Sequence, residues 1–141
     1  MHVSTAFKWL HRSTTVVLLI LVGGYFLQLY IEDNRRDELL VIKNKITNST
    51  TLYVTKYERG GATVSEIYRY YLSDNKQPYE KVIEGNPFLV SDKSDALISG
   101  YGNTINVKLT GKIYSFSNLT MFYSQDNLII PVININATGE R

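Results

Sequence analysis

Side chains suited to chemistry are scarce in this sequence and sit at one end. Both histidines, His2 and His11, fall in the amino-terminal head, and the chain has no cysteine. From Leu39 onward there is neither imidazole nor thiol. That removes the commonest general base, the Ser-His-Asp and Cys-His arrangements, and zinc sites built on histidine or thiolate. Carboxylates remain. Asp92 and Asp95, beside Ser91 and Ser94, are the tightest acid pair. Calcium needs several oxygen ligands at set spacings. This pair fits no calcium loop and has Lys93 between its acids. Such residues suit turn hydrogen bonds to nearby amides. Glu80 and Glu84 could share one helical turn, which is no basis for glycosidase chemistry. Gly100-x-Gly102 lacks the third glycine and the following helix of a phosphate-binding loop and reads as a turn. The expectation is a chain with no catalytic residue, no metal and no cofactor.

Lys56, Arg59, Arg69, Lys108 and Lys112 interleave with tyrosines on predicted strands. A basic, aromatic face can hold single-stranded nucleic acid or sugar. The same pattern belongs to any exposed β surface, and a net charge of +2 is too small to suggest nucleic acid. Asn48-Ser49-Thr50, Asn118-Leu119-Thr120 and Asn136-Ala137-Thr138 match the N-glycosylation pattern. They matter only in a chain from a eukaryote or its virus.

The element that must position everything else is Thr14–Ile31, TTVVLLILVGGYFLQLYI. Between Arg12 and Glu32 no residue is charged. A helix of this length spans roughly 30 Å, the hydrocarbon thickness of a bilayer. Thr14, Val16, Leu18, Leu21, Phe26, Leu29 and Ile31 are the predicted anchor positions. No polar stripe marks one side, which argues against a buried soluble helix. A cleaved signal peptide is the rival reading, but no A-x-A site follows and the apolar run continues past Gly23-Gly24. Lys8 and Arg12 on one flank balance Arg35 and Arg36 on the other. The short head, and the acids Glu32 and Asp33 leading the far flank, favour a cytoplasmic amino terminus.

The chain therefore divides into a head, residues 1–13, a signal-anchor helix over 14–31, a charged stalk over 32–38 and a β-rich domain over 39–141. In the head, Phe7, Trp9 and Leu10 with Lys8 and Arg12 could lie as a half-turn at the membrane surface, with Trp9 as an interfacial anchor. The stalk is expected to be a solvated spacer extending the helix. Tyrosine supplies 11 of the chain's aromatics, and most alternate with threonine, valine and isoleucine, which is strand chemistry. Leu39–Ile46, Thr51–Tyr57 and Thr63–Leu72 read as strands, the last two joined as a hairpin at Gly60-Gly61. Tyr79–Ile83 reads as a short strand or one helical turn, and Phe88–Val90 as a brief strand. Ile105, Val107 and Leu109 alternate with polar residues and predict one buried face. Gly111 marks a phase shift, hence a bulge or bend. Leu128–Ile135 reads as the last strand, put at an edge or bulge by Pro131, with Ala137–Arg141 frayed. Many short strands predict an all-β domain, a small antiparallel sandwich or partly open barrel, preceded by one transmembrane helix.

These readings converge on a single-pass protein of the bacterial inner membrane with a periplasmic, non-enzymatic domain. It would act as an accessory or scaffold component of an envelope assembly or as a small anchored inhibitor. Its partners would be the lipid bilayer and an unidentified envelope protein, with oligomerisation open. Contact is expected at a sheet edge formed by Ile133, Asn134, Ile135 and Asn136. The alternatives are a periplasmic enzyme using carboxylates and a viral or eukaryotic type II membrane glycoprotein.

Overall fold

A computed structural model describes residues 3–36, 38–58, 63 and 65–139. They form two units, divided between Arg36 and Asp37. The first is a single helix, α1 (Val3–Arg36). Within it, Ser4–Tyr30 contains an 18-residue stretch with a mean hydropathy of 1.7, long and apolar enough to cross a membrane. Val16, Leu18, Leu21 and Phe26 are all exposed, so the helix is apolar on every side. Ser13, Thr14 and Thr15 would be the polar weak points. Each hydroxyl instead donates to a carbonyl of the preceding turn: Ser13 and Thr14 to Leu10, at 3.0 and 2.8 Å, and Thr15 to His11, at 2.8 Å. Such back-bonding satisfies these three donors without water. The head is not the half-turn expected. It is continuous with the helix from Val3, because it contains no helix-breaking residue.

The second unit is β-rich. One sheet runs β1 (Glu38–Lys45), β2 (Thr51–Tyr57), β3 (Tyr68–Ser73), β4 (Leu89–Ser91) and β7 (Ile113–Phe116), antiparallel throughout. A second sheet has β6 (Thr104–Thr110) between β5 (Leu97–Tyr101) and β10 (Val132–Thr138). β8 (Phe122–Ser124) and β9 (Asn127–Ile129) form a hairpin whose two turn residues, Gln125 and Asp126, both have positive φ, the geometry of a type I′ turn. α2 (Tyr79–Ile83) is the helical alternative of the two readings for that segment.

One apolar cluster draws on both larger sheets. Leu52, Val54, Tyr70, Leu72 and Leu89 come from the first, and Ile105, Val107, Leu109 and Ile133 from the second. The predicted buried face of β6 is present: Ile105 is 0% exposed, and Val107 and Leu109 are 2%. The first sheet is buried on its other side as well, where Tyr53, Tyr71 and Val82 of α2 pack with Leu40 and Ile83. This explains why β2 has no polar face despite its alternating sequence. A bulge between Leu40 and Ile42 lets β1 serve both sides. Leu40 packs with Tyr53, and Ile42 joins the main cluster.

The reading of the later strands needs correction. The sheets are not purely antiparallel, since β10 runs parallel to β6 from Val132↔Thr104 to Thr138↔Thr110. The predicted strand Leu128–Ile135 is two strands, because proline has no N–H for a ladder and the chain breaks at Ile130-Pro131. Ala137 and Thr138 are not frayed but pair with Leu109 and Thr110. The second hairpin strand begins at Tyr68 rather than Thr63, while the expected turn at Gly60-Gly61 lies outside the described residues.

Candidate functional site

The second sheet has one face in the core and one outside. Alternation along β6 puts Asn106 and Lys108 outward while Ile105, Val107 and Leu109 point in. Pairing then sets out cross-strand rows. Ser99, Asn106 and Asn134 share one row, and Leu97, Lys108 and Asn136 the next. The Asn134 amide donates to Asn106 Oδ1 at 3.2 Å. Together these residues line an open groove of about 420 Å³. Its polar groups are amides, a hydroxyl and one ammonium, without a carboxylate, set beside the apolar Leu97, Ile98 and Ile135.

β10 is an end strand of this sheet. Two bonds fix which of its backbone groups are used. The Val132 N–H donates to the Asn103 carbonyl at 2.9 Å, and the Gly111 N–H donates to the Thr138 carbonyl at 3.0 Å. In a parallel ladder the bonded residues alternate. Val132, Asn134, Asn136 and Thr138 therefore turn their peptide groups to β6. Ile133, Ile135 and Ala137 turn theirs away, and among the described residues no strand pairs there. Val132–Thr138 has no charged side chain, so the charges that commonly guard an exposed edge are absent from the strand. The predicted edge residues Ile133, Asn134, Ile135 and Asn136 all lie on β10. Ile133 is buried, Ile135 half-buried and the two asparagines exposed.

The predicted anchor positions Thr14, Val16, Leu18, Leu21, Phe26 and Leu29 are all exposed on α1. Ile31 lies in the helix, its side chain outside the description. The other candidates do not assemble. Asp92 Oδ1 accepts the Lys112 N–H at 2.8 Å and thereby ties β4 to β7. Ser91 Oγ donates to the Lys112 carbonyl at 2.9 Å and accepts the Lys93 N–H at 3.2 Å. Asp95, Glu80 and Glu84 are exposed. The basic residues are not one face: Lys56 pairs with Glu66 and Arg69 with Glu38 on the first sheet, Lys108 is on the second, and Arg59 is outside the described residues. Among the described residues no group of His, Asp and Glu is arranged to hold a metal ion.

Sequence reasoning missed one cluster. Glu38, placed in the solvated stalk, is the first residue of β1 and only 8% exposed. Its carboxylate accepts from Thr55 Oγ1 at 2.7 Å, from the Tyr71 hydroxyl at 2.9 Å and from the Arg69 guanidinium. The Tyr79 hydroxyl donates to its carbonyl. A buried carboxylate survives only when charge and hydrogen bonds compensate, and here two hydroxyls and an arginine do so. The one available signal was the alternation Glu38-x-Leu40, which continues the inward side of β1.

Burial, and then the Glu38 charge, push Tyr79 up to about 12 from the usual 10 and raise Tyr71 as well. Burial pushes Tyr70 up to about 12. These phenols hold their protons more tightly folded than unfolded, so their contribution is complete below pH 10. It is lost as pH rises toward about 12, where the unfolded chain has released protons and the folded chain has not. A spectrophotometric titration should show exposed tyrosines ionising first, then a late, cooperative group coinciding with loss of far-ultraviolet circular dichroism. Simultaneous ionisation of all tyrosines would contradict the burial described.

Comparison with protein families, with curated proteins and with solved structures gives no match for this chain.

Proposed function

We propose that the protein is a single-pass membrane protein whose β domain is extracytoplasmic, sits in a bacterial envelope and works by contact rather than by catalysis. On this reading α1 spans the inner membrane with its amino terminus in the cytoplasm. The two sheets around one apolar cluster form a small sandwich, and the partner, an envelope protein, adds a strand at the edge of β10. The observation that carries this is the outward set of peptide groups at Ile133, Ile135 and Ala137 on an uncharged end strand. Strand addition uses such groups for affinity and the alternate side chains for specificity. The engagement of Glu38 and Asp92 in internal hydrogen bonds supports a non-catalytic reading.

Alkaline carbonate extraction and intact mass test the anchor: the chain should stay with the membrane and retain Thr14–Ile31. Photo-crosslinkers at Asn134 and Asn136 in native membranes test the edge. Ile135→Pro removes an outward N–H and should reduce crosslinking about tenfold with the fold retained. Asn136→Pro removes a donor to β6 and should cost about 1–3 kcal/mol of stability. Crosslinks to lipid alone would overturn the edge reading, as would an Ile135→Pro variant that folds and still crosslinks normally.

A further inference from the structure

We infer that the strand received at the β10 edge is β10 of a second copy of this chain, paired antiparallel about a twofold axis through Ile135. This rests on the reading of the β10 edge as the contact surface and names its occupant. The outward peptide groups belong to Ile133, Ile135 and Ala137, so an antiparallel partner must set outward residues opposite outward residues. The register that pairs Ile135 with Ile135 of the second copy overlaps the whole of Val132–Thr138. It sets Ile133 opposite Ala137 and Asn134 opposite Asn136. Shifting by one step in either direction leaves strand ends unpaired.

In that register the two surfaces match their own kind. Ile135 meets its own copy on the core side, flanked by Ile133 opposite Ala137, and asparagine meets asparagine on the outer side. The amide contact between Asn134 and Asn106 then extends across the axis to the second copy's Asn136. The row becomes continuous through a sheet of twice the width. A charged residue near the axis would face its own charge and repel; β10 has none. About six backbone hydrogen bonds over one strand make a smaller interface than a stable soluble dimer uses. Copies confined to one membrane overcome this through a raised effective concentration. The expected species is therefore a dimer in membranes.

The absence of cysteine makes a disulfide test clean. Full-length chains bearing Asn134→Cys or Asn136→Cys, with different tags, are co-expressed and oxidised mildly in their membranes. Both sites are exposed, so the fold should persist. Across the axis, position 134 faces 136, whereas 134 lies diagonally from 134 at roughly 7–8 Å, beyond comfortable disulfide reach. The mixed pair should crosslink about tenfold faster than either variant alone. Ile135→Pro added to both chains should abolish the product. Equal crosslinking in the single-variant samples, or none in the mixed one, overturns self-pairing. If the mixed pair fails while a photo-crosslinker at Asn134 traps a different protein, the edge reading stands and only self-pairing falls. If both fail, both readings fall.

Discussion

Replacing Val107 with aspartate should leave residues 38–139 unfolded. Val107 is 2% exposed, at the middle of β6, in the cluster shared by both larger sheets. Among the described residues that cluster supplies no cation to meet a new carboxylate. An unpaired charge there costs several kcal/mol after relaxation, a large share of the 5–15 kcal/mol that holds an ordinary domain together. The adjacent side chain provides the control. Lys108 points outward on the same strand, and Lys108→Asp should change stability by only about 0.5 kcal/mol. Urea unfolding of the full chain in detergent, followed by circular dichroism, measures both. Equal midpoints for the two variants would show that β6 does not separate a core face from a solvent face.

The second large effect is expected at Glu38. Glu38→Ala strands the Arg69 guanidinium and leaves the Thr55 and Tyr71 hydroxyls without their acceptor. Breaking a buried pair this way costs 3–5 kcal/mol when the survivor is fully enclosed. The Arg69 side chain keeps 29% exposure, so water recovers part of the loss and about 2–3 kcal/mol is expected. Arg69→Met alone should also destabilise, because it leaves the carboxylate buried. Glu38→Leu with Arg69→Met removes both charges, and its cost should fall well below the sum of the single changes. Strict additivity in the unfolding free energies would mean that the two groups do not support each other.

The legible parts of the fold are those where one face is wet and one dry. Ile105, Val107 and Leu109 alternate with polar residues, and the sequence pattern maps directly onto β6. Strand Thr51–Tyr57 was also legible in position, but its polar-looking side was not. Tyr53 and Thr55 look outward by residue type, yet α2 and β1 cover them, and tyrosine carries both an apolar ring and a bondable hydroxyl. Glu38 was hidden for a related reason. A glutamate among Glu32, Asp33 and Asp37 reads as one more solvated charge, and its partners Thr55, Arg69, Tyr71 and Tyr79 are distant in sequence. The parallel pairing of β10 with β6 was equally illegible. Two alternating strands show the same periodicity whichever way they run, and direction follows from the path of the chain between them. Pro131 did signal an interruption, but a missing donor does not say whether a strand bulges or ends. At the candidate edge, the polar alternation Ile133-Asn134-Ile135-Asn136 was visible in the sequence. Which peptide groups face outward was not, because that depends on the register with β6.

Only Asp37 lies between the last residue of α1 and the first residue of β1. A pull on the chain ahead of β1 would load its first rung before any other. Peeled from that end, β1 would part from β2 one pair at a time, starting with Glu38 opposite Tyr57. The carboxylate cluster stands at that starting point and ties β1 to β2, β3 and α2 at once. It spreads a load that would otherwise fall on single hydrogen bonds. Under force, the lifetime of the folded domain is set by its rate of opening. The glutamate that costs burial energy at rest would then act as a rivet at the rung where tearing begins.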